Sequence, residues 1–182
     1  MFFEGVIMLD KSFNSNSTPE YFFNRITDIT PDDIKNMGAK AVGIDLDNTS
    51  FYDNTVKPFP GVTEWLQEMK KAEIPVIIVS NTYMSRAKRI SEILGGLPFI
   101  GDAHKPDTKC YHDAAALAGV SVSEFAMIGD QLFTDIQGAN NAGAISVRVK
   151  YVKREILFGL RFRLVRRRER LYLENKGLGD KV

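Results

Sequence analysis

Apolar residues along this chain gather into short runs, and stretches of helical spacing separate them. Residues 41–46, 75–79, 99–100, 125–128 and 145–149 are apolar runs bounded by polar or turn-forming residues, the mark of buried strands. Between them, apolar positions recur every three or four residues. Val62, Trp65, Leu66 and Met69 share one face of a helix predicted from Pro60-Gly61 to about Lys71. Further helices are predicted over roughly 84–94, 107–118 and 134–142. Upstream, Thr18 before Pro19 and Thr30 before Pro31 both read as helix starts, with threonine as cap and proline in the first turn. The second of these helices ends near Gly38.

Strands alternating with helices predict βαβ units and a parallel sheet. The expected fold is α/β: a doubly wound, Rossmann-like, mostly parallel sheet of about five strands flanked by helices. The chain divides into an N-terminal helical segment packed on the core (1–40), an α/β core (41–150) and a basic C-terminal helix and tail (151–182). The gaps Ser50–Pro60 and Asn81–His104 are too short to hold a cap domain. Such a site would be open to large substrates.

The tail changes the charge picture. Net charge is +1, yet residues 151–182 carry ten Lys/Arg and four Asp/Glu, a net of +6, which leaves −5 for the rest. Six arginines lie between Arg161 and Arg170 in a helix predicted over 153–173. Leu157, Leu160, Leu164 and Leu171 fall on one side of it. The partner implied is anionic: a membrane surface, a nucleic acid, or the acidic body itself. The single cysteine, Cys110, excludes a disulfide framework and reads as a buried side chain. No apolar run approaches the ~18 residues of a membrane span. Met1-Phe2-Phe3-Glu4 lacks the basic start of a signal peptide, so a cytoplasmic location is expected, peripheral on the inner face of the membrane if the tail binds lipid.

Each of the first four predicted strands runs into polar residues suited to one chemistry. Asp45 and Asp47 follow the first, Ser80 the second, Lys105 lies just beyond the third, and Asp130 and Asp135 follow the fourth. In a doubly wound sheet these strand ends share one edge, where ligands bind. Two carboxylates two residues apart need a cation or a shared proton, and all-oxygen ligation suits Mg²⁺. A nucleophile candidate, an acid/base candidate, a hydroxyl, a fixed cation and metal-binding carboxylates together meet the needs of phosphoryl transfer. His104 and His112 read as surface or packing histidines.

Asp45-Leu46-Asp47-Asn48-Thr49, Ser80, Lys105-Pro106 and Gly129-Asp130 with Asp135 resemble, in this order, the haloacid dehalogenase (HAD) superfamily. The run Gly129-Asp130-Gln131-Leu132-Phe133-Thr134-Asp135 resembles its subfamily IIIA, the YqeG-like branch related to phosphatidylglycerophosphate phosphatases. The resemblance implies an Mg²⁺-dependent phosphomonoester hydrolase with Asp45 as nucleophile and Asp47 as general acid and base. It implies that Ser80 and Lys105 hold phosphoryl oxygens and that Thr49 and Asn81 are further substrate contacts. Asp45, Asp47 (through its main-chain carbonyl) and Asp130 would bind metal. Asp135 would join them through water or by orienting its neighbours. Gln131 departs from the pattern, since many members carry a second acid there. The implied substrate is phosphatidylglycerophosphate. The alternatives are a soluble or nucleic-acid phosphate monoester, or an RNA- or ribosome-binding protein that uses the basic helix.

Overall fold

The computed structural model describes residues 16–150 and 160–179, with the side chains of 160–162 excepted. Six parallel strands form one sheet in the order β1-β6-β5-β2-β3-β4. They are β1 (Tyr21–Phe23), β2 (Ala41–Ile44), β3 (Val76–Val79), β4 (Phe99–Ile100), β5 (Phe125–Gly129) and β6 (Ile145–Val149). The helices are α1 (Pro31–Asn36), α2 (Val62–Lys71), α3 (Met84–Ile93), α4 (Lys109–Ala118), α5 (Gln137–Ala142) and α6 (Leu160–Asn175). Every residue of β2, β3, β5 and β6 is buried, as expected of strands covered on both faces.

Side chains alternate between two cores. Val42, Ile44, Ile78 and Ile128 face a layer containing Ile34, Trp65, Met69 and Ile90. Ala41, Ile77, Phe125 and Met127 face Tyr111, Ala114, Ala115 and Ala139 on α4 and α5. The Trp65 indole donates to the Ile29 carbonyl at 2.7 Å and ties the segment before β2 to the first layer. Thr30 caps α1 through a reciprocal capping box with Asp33.

The helix expected from Pro19 is instead the edge strand β1. Tyr21, Phe22 and Phe23 are β-formers, and β6 offers them an open edge. Glu20 N donates to the Ser146 carbonyl at 3.1 Å, and Ser146 N donates to Glu20 Oε1 at 3.1 Å. These bonds fix the chain as extended just where Thr18-Pro19 imitates a helix start. The sheet therefore has six strands rather than five. No cap domain is inserted at either expected gap: 50–60 makes only a small excursion closed by the bridges Asp47–Phe51 and Phe51–Pro58. Of the helix expected over 153–173, residues 153–159, with Leu157, lie outside the described residues.

Candidate active site

Adjacent strand ends bring the carboxylates together. Ile44 of β2 pairs with Ile128 of β5, and Asp45 N donates to the Ile128 carbonyl at 2.9 Å. Asp45 and Asp130 thus leave neighbouring strands at the same level. Lys105, from the loop after β4, reaches in beneath them. Its ammonium lies 2.7 Å from Asp45 Oδ1 and 2.6 Å from Asp135 Oδ1, and donates to the Val79 carbonyl at 2.8 Å. Burial pushes the Asp45 carboxyl up to about 7; Lys105 opposes the shift while Asp135 and Asp130 reinforce it. Burial likewise pushes Asp130 up to about 6, against the pull of an arginine, Arg166. For Lys105, burial disfavours the charge, but Asp135 and Asp45 outweigh it and hold the ammonium protonated.

Asp135 sits where it does because Gly129 has no side chain. A Cβ at Gly129 would lie 2.3 Å from Asp135 Cγ and Oδ2. Asp135 is carried on a π-helical turn, Leu132–Ile136, a form often found at functional sites. The Tyr111 hydroxyl donates to the Thr134 and Asp135 carbonyls at 2.8 and 3.2 Å, and Gly138 leaves room for that ring. The Gln131 main-chain N–H donates to Asp135 Oδ2 at 3.0 Å.

The Asp47 carboxylate belongs to a different set of contacts. Arg86, on α3, grips it with two parallel bonds of 2.7 and 2.6 Å, the bidentate geometry that guanidinium favours. Asn54 N adds a third at 2.8 Å. The same guanidinium donates to the Thr55 carbonyl at 2.7 Å and to the Thr82 hydroxyl at 2.8 Å. Arg86 thereby ties the 50–60 excursion to α3 across the mouth of the site.

α6 closes the other side. Arg166 pairs with Asp130 and, at 2.7 Å, with Glu169. Glu169 is buried and accepts from Leu132 N at 2.8 Å. Leu173 is fully buried against Leu132 and Ile136. The apolar side expected of this helix is, where described, the exposed one: Leu164 and Leu171 face solvent. The helix docks through its Arg166, Glu169 and Leu173 side, so of the three anionic partners expected it meets the acidic body.

Every residue singled out at the strand ends lies on this edge. Ser80 is buried, and its hydroxyl accepts from Thr82 N at 3.2 Å. The Thr49 hydroxyl is 3.4 Å from Asp130 Oδ1. The Asn81 side chain is occupied by the backbone of Lys105, accepting from its N–H at 2.7 Å and donating to its carbonyl at 3.1 Å. His104 and His112 are exposed, and Cys110 is buried. Arg148, buried on β6, donates through Nε to the Asp130 main-chain carbonyl at 3.4 Å. Arg86, Arg148, Arg166 and Glu169 were not foreseen. One signal was available: Glu169 is the sole acid between Arg161 and Tyr172. An isolated acid in a basic run invites a buried pairing. Arg86 had no such mark.

The donor set fits a hard divalent cation. Carboxylate oxygens of Asp45, Asp130 and Asp135 lie within 4.8 Å of one another, all buried. Asp135 Oδ1 is buried and accepts no aligned hydrogen bond, although the Lys105 ammonium is close. Among the described residues, four buried acids (Asp45, Asp130, Asp135, Glu169) face three buried bases (Lys105, Arg148, Arg166), which leaves an excess of negative charge. Oxygen-only ligation of this kind suits Mg²⁺.

Residues 19–143 match the model of the haloacid dehalogenase-like hydrolases. The chain is 38% identical over 171 residues to the protein named Probable phosphatase YqeG of Bacillus subtilis (strain 168), covering 93% of this chain and 96% of that one. It is 32% identical over 102 residues to a phosphoglycolate phosphatase of Caulobacter vibrioides, covering 52% of this chain and 43% of that one. A crystal structure of an uncharacterized protein from Listeria monocytogenes serotype 4b shares the fold, with a TM-score of 0.52 at 20% identity over 66% of this chain and 86% of that one. The strand-end carboxylates, the buried lysine and these likenesses lead to one assignment: the chain belongs to the haloacid dehalogenase-like hydrolases, as a phosphatase of the YqeG-like branch.

Proposed function

We propose that this protein hydrolyses a phosphate monoester through a phosphorylated Asp45. The observation that carries the reading is the buried Lys105 ammonium, in contact with both Asp45 and Asp135 at the edge where Asp130 also sits. An Asp45 oxygen attacks phosphorus, and the bond to the ester oxygen breaks. Asp47 supplies the proton that the leaving alkoxide takes. Water then attacks the phosphorus, Asp47 receives a proton from it, and the bond to Asp45 breaks to release orthophosphate. Lys105 and the Ser80 hydroxyl hold phosphoryl oxygens, and the Thr49 hydroxyl lies beside them. Asn81 acts on the substrate through the Lys105 loop that it clamps. Asp45, Asp130, Asp135 and the Asp47 main-chain carbonyl would hold Mg²⁺, which when bound supplies positive charge to the phosphoryl oxygens. To deliver its proton, Asp47 must rotate out of the Arg86 grip, so Arg86 acts as a rest position for the acid.

The substrate we favour is a phosphorylated lipid headgroup, specifically phosphatidylglycerophosphate, met at an anionic membrane surface. Three features support it. No lid domain covers the site among the described residues. Tyr83 and Met84, three and four residues beyond Ser80, are exposed at 78% and 50%. On the outer face of α6, Leu164, Arg167, Arg168 and Leu171 follow one another at helical spacing and are all exposed, a mixture suited to an anionic interface. On this reading attachment is peripheral, at the cytoplasmic face; no helix among the described residues is long and apolar enough to cross a membrane. Likeness to a phosphoglycolate phosphatase favours, as the second reading, a soluble monoester. Phosphate release from liposomal phosphatidylglycerophosphate, phosphoglycolate and an aryl phosphate, each with and without Mg²⁺, tests both readings. Selective turnover of the lipid is expected. Turnover of phosphoglycolate alone would replace the lipid reading, and no Mg²⁺-dependent release from any ester would overturn the phosphatase mechanism.

A further inference from the structure

Arg166 of α6 reaches the catalytic carboxylates. It pairs with the Asp130 carboxylate and donates to the Asp130 main-chain carbonyl at 3.3 Å. The nitrogen that reaches the carbonyl also meets Glu169 at 2.7 Å, and Glu169 in turn accepts from Leu132 N at 2.8 Å. Leu132 opens the π-helical turn that carries Asp135. Asp130 and the start of that turn are therefore tied to α6 at a carboxylate, a carbonyl and an amide. Arg163, Arg167, Arg168 and Arg170 are exposed.

We propose that Arg166 is a positioning residue for the divalent cation, and that through it docking of the C-terminal helix and cation binding are thermodynamically linked. The proposal rests on the cation reading of Asp45, Asp130 and Asp135 given above. A ligating carboxylate binds well when one oxygen is presented and the rotor is fixed from behind, and partners that orient ligands in this way typically matter ~10–100-fold in metal affinity. Asp130 Oδ2 is held by Arg166, while Oδ1 meets the Thr49 hydroxyl at 3.4 Å. The guanidinium charge also repels a nearby cation, which works the other way. That effect is the smaller one, because the Arg166 charge is already met by Glu169. Removing Arg166 leaves Asp130 and Glu169 as buried like-charged neighbours, and their separation would pull the turn with it. Linkage is reciprocal: if docked α6 favours the cation, the cation must favour docked α6.

The test uses the full chain, with Mg²⁺ as titrant and calorimetry as readout. Arg166→Gln should raise Kd ~10–100-fold, with Arg166→Lys between it and wild type, since an ammonium keeps the charge but lacks the planar fork that reaches the Asp130 carboxylate, its carbonyl and Glu169 at once. The double variant Arg167→Gln, Arg168→Gln should bind as wild type. In wild type, Mg²⁺ should slow amide hydrogen exchange over 163–175, and in Arg166→Gln this protection should vanish. An unchanged or tighter Kd in a folded Arg166→Gln would overturn the proposal and make Arg166 a competitor for the site. If that variant does not fold, the wild-type exchange decides, and absence of Mg²⁺-dependent protection of α6 overturns it. Wild type that binds no divalent cation overturns both this proposal and the cation reading beneath it.

Discussion

Without a divalent cation, the fold should lose stability as pH rises from 5 to 8, the reverse of ordinary acid denaturation. Burial raises Asp45 to about 7 and Asp130 to about 6, whereas both return to the usual carboxylate range near ~4 on unfolding. Between those values the folded chain holds protons that the unfolded chain releases, so stability falls with pH. The contribution is complete below ~4 and is lost as pH passes through about 7. At ~1.4 kcal/mol per unit, and with the two sites interacting, the loss between pH 5 and 8 is of order 3 kcal/mol. For a chain of this size that corresponds to roughly 6–12 °C in Tm. Two carboxylates are shifted the other way. The Thr30 hydroxyl bond lowers Asp33, and bonds from Lys40 and Ser121 lower Glu124 to about 2, so both act below the window. Thermal unfolding in excess chelator at constant ionic strength reads the slope. Asp45→Asn should flatten most of it, and saturating Mg²⁺ should reverse it, because ligation requires the ionised forms. A Tm that is flat or rising over this range in chelator, or an Asp45→Asn slope equal to wild type, would refute the reasoning.

Further outcomes follow from particular contacts. Gly129→Ala places a methyl 2.3 Å from Asp135 and must displace it from Lys105, so overpacking of ~1–3 kcal/mol in urea titration should accompany a fall in kcat; wild-type stability and turnover would contradict the crowding. Because Arg86 touches Asp47 through two bonds, Asp47→Asn combined with Arg86→Gln should cost little more kcat than Asp47→Asn alone. Fully additive losses would separate the two residues. Leu173→Ala should lower stability by ~2–5 kcal/mol, as expected for a core leucine rather than one on a free tail. Replacing Arg163, Arg167, Arg168 and Arg170 by Gln should weaken sedimentation with anionic liposomes, more so at low salt. That quadruple variant should leave aryl phosphate turnover intact, since none of the four is buried in the site.

Much of this was legible because it is local. A buried parallel strand announces itself as an unbroken apolar run, and its end is fixed by the first carboxylate or hydroxyl that follows. Asp45, Ser80 and Asp130 are therefore placed on one edge by the sequence itself. β1 was not legible: three residues are too few for a period, and its pairing with β6 spans more than 120 positions. Thr18-Pro19 offered a local signal that the long-range pairing overrode. The partners of the site were hidden for the same reason. Arg86 is 39 residues from Asp47, and Arg166 is 36 from Asp130. Nothing in the neighbourhood of Arg86 tells a buried pairing from a solvated charge, and near Arg166 the one mark is the lone acid Glu169. The tail shows the limit best: its leucines pointed to the apolar side, yet the helix docks through a charged pair and Leu173.

The central claim is that Asp45 carries the phosphoryl group. Rapid acid quench of a single turnover, followed by mass spectrometry of the peptide containing Asp45, measures this directly. The account predicts a phosphoryl adduct on Asp45 that hydroxylamine removes, that appears no later than orthophosphate, and that is absent from Asp45→Asn. An adduct on another residue, or full turnover by Asp45→Asn, would contradict it.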